Sequence, residues 1–247
     1  MNKTEVFAHR GSKGTHPENT LVAFEEAIRV GSDGIELDVH LSRDNEVVVI
    51  HDETVDRTSN GKGLVRELTL QELKQLDAGS WFSEDYTDCR IPALQEVIDF
   101  LIDSQFKGTL NIELKTDHYA YPGIEEKVIK LTDKKEIQFK IVFSSFNYQT
   151  LIRLKELNPT VEIALLFEKN GRDLLMLDTD IMVTMWHPSL LWFREKMLTD
   201  EVKMAVRLWT INQTQELAYC FNQGIAGVIT DYPEKALALR NQLETTT

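Results

Sequence analysis

In Gly34-Ile35-Glu36-Leu37-Asp38-Val39 two acids stand two residues apart in an apolar, β-branched run. On a strand that spacing puts both carboxylates on one face, while Ile35, Leu37 and Val39 take the other. Asn111-Ile112-Glu113-Leu114-Lys115 repeats the device, with Glu113 and Lys115 sharing a face. Acids turned into a protein interior are costly unless a cation compensates them. Three oxygen ligands, with no nearby Cys and no His-x-x-x-His spacing, suit a hard divalent cation, Mg²⁺ or Ca²⁺, better than zinc. Taken alone, the same pattern is also met by an internal Glu113–Lys115 ion pair beside a solvated strand end at Glu36 and Asp38.

His9 and Arg10 close the first β-branched run, and His51 closes another. Two histidines flanking a carboxylate cluster offer a general acid and a general base. Arg10 and Lys115 are the bases that can be placed at the same mouth, where they could grip a phosphate. Trp209, in Leu208-Trp209-Thr210-Ile211-Asn212, either walls a substrate pocket or fills a core, and Arg207 on its face neutralises an interior acid. His187 is the reserve histidine. Gly61-Lys62-Gly63 lacks the strand–helix junction of a phosphate loop.

Something must position these groups. Short strands are expected at Glu5–His9, Gly34–Val39, Thr109–Lys115, Lys140–Ser144, Glu162–Phe167, Ile181–Trp186, Met204–Thr210 and Gly227–Thr230. Amphipathic helices are expected at Thr20–Val30, Leu94–Ser104, Gly123–Lys134, Tyr148–Leu157, Ser189–Leu198, Gln213–Gln223 and Pro233–Leu243. Thr20 offers an N-cap to the first and Gly31 a C-terminal stop. Eight strand–helix units in a chain of 247 residues read as an α/β protein, a (β/α)8 TIM barrel. One run breaks the rhythm. Glu46–His51 follows Gly34–Val39 too closely for a parallel crossover, so it must return as a hairpin turning at Arg43-Asp44-Asn45. That hairpin sets His51 beside Asp38. Residues 52–92 then form an insertion after the second strand, with a short helix near Thr69–Leu76 and the pair Trp81-Phe82. The expectation is a single domain over 1–247.

Forty acids against 27 Lys and Arg leave a net charge of −13, which argues against binding nucleic acid or an anionic membrane. Cys89 and Cys220 stand far apart without metal-type spacing. No run of about 18 apolar residues exists, and the start leaves no room for a signal peptide, so a cytoplasmic protein without stable membrane association is expected.

His9-Arg10-Gly11, Pro17-Glu18-Asn19-Thr20, Glu36-Leu37-Asp38-Val39 and His51-Asp52 occur in an order that resembles the glycerophosphodiester phosphodiesterase family. Arg57-Thr58, Gly79-Ser80-Trp81, Ile91-Pro92, Asn111–Lys115, Ser145-Phe146-Asn147, Trp209–Asn212 and Gly227–Pro233 extend the likeness across almost the whole chain. It implies a barrel with an insertion after the second strand, and hydrolysis of a glycerophosphodiester to sn-glycerol 3-phosphate and an alcohol. It also implies Glu36, Asp38 and Glu113 as ligands of a divalent cation, His9 and His51 as the catalytic pair, Arg10 and Lys115 on the phosphate, and Trp209 near the glycerol. The likeness is weakest at Met185-Trp186-His187-Pro188. Two rivals stand beside it. One is a phosphodiesterase of phospholipase D type acting on lysophospholipids, with Trp81, Phe82 and Phe167 at an apolar entrance. The other is a non-catalytic barrel that binds phosphate and metal.

Overall fold

A computed structural model describes residues 3–168, 183–195, 203 and 205–245. Eight parallel strands follow one another round a barrel: β1 (Glu5–His9), β2 (Gly34–Leu41), β4 (Thr109–Leu114), β5 (Lys140–Ser145), β6 (Glu162–Phe167), β7 (Met185–Pro188), β8 (Arg207–Leu208) and β9 (Gly227–Thr230). Single parallel bridges, Trp186 to Val206 and Ser189 to Trp209, bring β7 against β8 and nearly close it. β3 (Val47–Val49) runs antiparallel to β2 outside this circle.

The hairpin falls where period and turn chemistry require. Val39 opposes Val49, and the Ile50 amide reaches the Asp38 carbonyl at 3.1 Å. Asn45 takes the left-handed conformation (φ 62°) that a tight turn needs and that Asn tolerates.

Two strand expectations move. The sixth barrel strand begins at Met185, whereas the apolar run Ile181-Met182-Val183 had suggested an earlier start; residues 181 and 182 lie outside the described residues. The seventh shrinks to Arg207–Leu208 with isolated bridges on either side, and residue 204 lies outside the described residues.

The helices supply the outer layer: α1 (Leu21–Arg29), α3 (Leu94–Asp103), α4 (Ile124–Thr132), α5 (Tyr148–Leu157), α6 (Leu190–Arg194), α7 (Thr214–Gln223) and α8 (Pro233–Thr245). Thr20 caps α1 by accepting from the Ala23 amide, and Gly31 follows it at φ 78°. Ile35, Leu37, Val39, Leu110, Ile112 and Leu114 face outward and pack with Phe24, Val97, Ile98 and Leu101 of the helices, so the apolar core lies between barrel and helices. Phe167 belongs to this layer, stacked edge-on against Trp192 at 5.0 Å. Its side chain therefore packs between barrel and helices, as the alternation requires when its neighbour Leu166 takes the inner face, and among the described residues it is not placed at the apolar entrance suggested for it.

The insertion carries a smaller core of its own, Val48, Ile50, Val55, Val65, Leu73, Ala78 and Ile91. Its helix α2 (Leu70–Leu73) is held by a capping box between Thr69 and Glu72. Trp81 donates its indole N–H to the Ala78 carbonyl at 2.9 Å and meets Phe82 edge-on, so these contacts of the pair lie within the insertion.

Candidate active site

Two adjacent strands, β2 with Glu36 and Asp38 and β4 with Glu113, deliver the acids to one place, and β1 brings His9 beside them. Register sets Asp38 opposite Glu113 and His9 opposite Glu36. Candidate ligand oxygens of Glu36, Asp38 and Glu113 lie within 4.8 Å of one another, all three residues buried. Burial, together with the charges of Asp38 and Glu113, pushes the Glu36 carboxyl well above the usual carboxylate range. Burial raises Glu113 as well, against the pull of Lys115. Asp38 goes the other way. Burial works against its charge, yet Arg10, His51 and Lys115, with a 2.9 Å hydrogen bond from Asn19, hold it below the usual range. The cluster thus has one settled anion and two short of positive charge.

Arg10 sits at φ 53°, a left-handed backbone uncommon for a residue with a side chain. Its amide donates to Glu36 Oε2 at 2.9 Å and its carbonyl accepts from the Asn19 amide at 3.0 Å, which fixes the bend. Gly11 follows at φ 76°, and a Cβ there would meet Ala23 at 2.7 Å, so only glycine lets the turn pack onto α1. The guanidinium spends NH1 on Glu18 at 2.8 Å, and its buried Nε stands 3.4 Å from Asp38 Oδ2, an ion-pair approach without a hydrogen bond among the described residues.

Lys115 Nζ donates to Glu113 Oε1 at 2.8 Å and lies 3.3 Å from His51 Nε2. An ammonium only donates, so His51 Nε2 is the accepting nitrogen and Nδ1 carries the hydrogen toward Asp52, 2.7 Å away. His9 makes the matching contact with Asp231 at 2.6 Å. Burial and Arg10 lower the proton affinity of His9 more than Asp231 raises it.

Trp209 is half-buried and meets Phe146 edge-on at 5.5 Å, and Phe146 lies 5.9 Å from Lys115 Nζ. Its indole N–H reaches the His187 carbonyl at 2.6 Å. His187 itself is fully buried, its two ring nitrogens without a hydrogen-bond partner among the described residues, so it is an interior residue. Arg207 pairs with Glu5 at 2.9 Å, but the Glu5 side chain is 38% exposed, so its partner is an acid at the edge of the barrel and not the interior acid expected for it.

Sequence reasoning assigned no role to a second set of charged residues. Arg57 of the insertion bridges Asp52 and Glu18 with four hydrogen bonds of 2.8–2.9 Å. A chain His51–Asp52–Arg57–Glu18–Arg10 therefore joins the second histidine to the arginine of the first turn. Asp52, Glu18 and Asp231 all lay inside recurring motifs, but nothing in their spacing told which partner each would meet.

The model of the glycerophosphoryl diester phosphodiesterase family matches residues 9–235. The chain belongs to this family. Its class is accordingly that of the phosphoric diester hydrolases. A glycerophosphodiester phosphodiesterase of Caldanaerobacter subterraneus subsp. tengcongensis is 40% identical over 239 residues, covering 96% of this chain and 98% of that one. A second, from Bacillus altitudinis, is 38% identical over 98% of this chain and all of its own length. An Oleispira antarctica phosphodiesterase, solved in complex with the product sn-glycerol-3-phosphate, superposes with a TM-score of 0.85 at 32% identity over 97% of each chain. Among the described residues no helix is long and apolar enough to cross a membrane.

Proposed function

We propose that this chain hydrolyses glycerophosphodiesters to sn-glycerol 3-phosphate and the free alcohol, with a divalent cation and two histidines. One observation carries the reading: Lys115 touches Glu113 of the acid cluster and His51 at once, so the acids and a histidine serve a single reaction centre. The activities of the relatives, and the product held by the Oleispira enzyme, support the substrate class.

Glu36, Asp38 and Glu113 would hold the cation. They fit it: an all-oxygen set suits Mg²⁺ or Ca²⁺, and two of the three are pushed toward protonation for want of positive charge nearby. Bound there, the cation supplies positive charge that draws electron density from phosphorus and lowers the pKa of a hydroxyl beside it.

The remaining work falls to side chains. Arg10 and Lys115, the two cations beside the acid cluster, bind the non-bridging phosphate oxygens and hold the diester against the negative field of the chain. His9 and His51 present Nε2, one taking a proton from the attacking oxygen and the other delivering one to the departing alcohol. Trp209 and Phe146 form an apolar wall for the carbon skeleton of the glycerol. The whole chain acts as one catalytic domain, with residues 52–92 as the side of the mouth that fastens Asp52 and Glu18. Release of glycerol 3-phosphate from glycerophosphocholine, with chelator and then with added Mg²⁺ or Ca²⁺, tests this directly. Turnover unaffected by chelator would remove the cation, and no release under any condition would remove the substrate class.

A further inference from the structure

Asp231, the residue after β9, takes part in no step above. Its Oδ1 lies 2.6 Å from His9 Nδ1, and its Oδ2 accepts from Asn212 Nδ2 at 2.7 Å. Asn212 is fixed in that orientation, because its Oδ1 accepts from the Asp231 amide at 2.9 Å and from the Thr230 hydroxyl at 3.1 Å. Lys13 Nζ stands 3.8 Å from Oδ1. Burial disfavours the Asp231 charge, but the hydrogen bonds of His9 and Asn212 and the positive charge of Lys13 work against it, and the carboxyl comes down to about 2. An ionised carboxylate can only accept. The hydrogen shared with His9 is therefore carried by Nδ1, and the neutral ring keeps its lone pair on Nε2.

We infer that Asp231 is a positioning residue for His9: it fixes the ring in the Nδ1–H tautomer and turns Nε2 toward the substrate. The inference rests on the reading of His9 as one of the proton-handling pair. Asn212 makes it sharply testable. An Asn at position 231 has the same shape, but its oxygen must face the fixed Asn212 amide donor, since two amide N–H groups pointed at each other leave both unmet. Its own NH₂ then faces His9 Nδ1, which has to accept, and the ring hydrogen moves to Nε2. A side chain that only tied β9 to β8 would be replaced by Asn without such a change, because the bond to Asn212 survives.

The experiment compares ¹⁵N-labelled wild type and Asp231→Asn by long-range ¹H–¹⁵N spectra of the histidine rings, with His9 identified by its loss in His9→Gln. The expected result is an Nδ1–H ring in wild type, an Nε2–H ring in Asp231→Asn, and kcat on glycerophosphocholine lowered about 10²-fold or more with KM little changed. Asn212→Ala keeps the carboxylate, so it should keep the Nδ1–H ring and lose much less rate. An Nε2–H ring in wild type overturns the inference even if Asp231→Asn does not fold. An unchanged tautomer in Asp231→Asn also overturns it. An inverted tautomer with undiminished kcat would take His9 out of the reaction and the inference with it. Failure of the functional reading looks different: wild type would release nothing from the diester, whatever the rings show.

Discussion

Among the described residues, several charges at the barrel mouth are held by a partner of opposite sign, and the strength of that hold is measurable one residue at a time. Glu18 is buried between Arg57 and Arg10, and although burial opposes its charge, their hydrogen bonds bring its carboxyl from an ordinary 4.5 down to about 2. The sign follows from linkage. A folded-state value below the unfolded one means the ionised form is favoured by folding, so the stabilisation is full above about pH 4.5 and fades as pH falls toward 2. A shift of this size corresponds to about 3 kcal/mol. Glu18→Gln should therefore destabilise the protein by roughly that amount at pH 7, with the two unfolding curves converging below pH 4.5. Parallel curves down to pH 2 would mean Glu18 contributes packing only. For the proton-handling pair, His9→Ala and His51→Ala should each lower kcat by about 10²–10⁴-fold, and the double variant should be scarcely worse than the worse single one, since the two act as a unit. Steady-state rates that retain a few tenths of wild type would remove those roles.

At the scale of elements, the hairpin of β2 and β3 sets where the chemistry can sit. A strand alternates faces residue by residue, so Glu36 with Asp38, and Glu113 with Lys115, could be placed on shared faces from spacing alone. The turn at Arg43-Asp44-Asn45 and the count back from it put His51 beside Asp38, and the Ile50–Asp38 hydrogen bond bears that out. Less was legible at β7 and β8. Both are short, and the apolar run Ile181-Met182-Val183 drew the expected strand upstream of Met185. The supporting ions were illegible for another reason: Asp231 meets His9 from 222 positions away, and charged residues in loops carry no periodicity. The insertion illustrates this. Its Trp81-Phe82 pair drew attention, whereas the residue that grips the site is Arg57. Arg57→Leu removes four hydrogen bonds to Asp52 and Glu18, each charge-assisted and worth about 1.5–3 kcal/mol where partners are buried. It should lower kcat by at least about tenfold, the equivalent of 1.4 kcal/mol, while Arg57→Lys recovers part of the loss. Full activity in Arg57→Leu would show that the insertion folds beside the site without holding it.

For the whole molecule, the question is how a chain of net charge −13 can gather three of its forty acids into a barrel mouth and still admit an anionic diester. Arg10 and Lys115 offset part of the cluster, but Glu36 and Glu113 stay pushed toward protonation, so the metal-free fold carries an unrelieved repulsion. A cation that binds only the folded site relieves it and adds RT ln(1 + [L]/Kd), about 2.7 kcal/mol at a hundredfold excess over Kd. Each kcal/mol moves the midpoint of a domain this size by roughly 2–4 °C, so saturating Mg²⁺ or Ca²⁺ should raise Tm by about 5–10 °C. Glu113→Gln keeps the shape and removes one charge. It should leave the metal-free protein as stable or more so, shrink the response to cation, and abolish turnover. Melting curves of both proteins across a cation titration at fixed ionic strength separate this from general screening, which acts on all surface charges alike. Were the two proteins to shift equally, the cation would be acting on the diffuse surface charge, and Glu36, Asp38 and Glu113 would be a strained polar interior and no metal site.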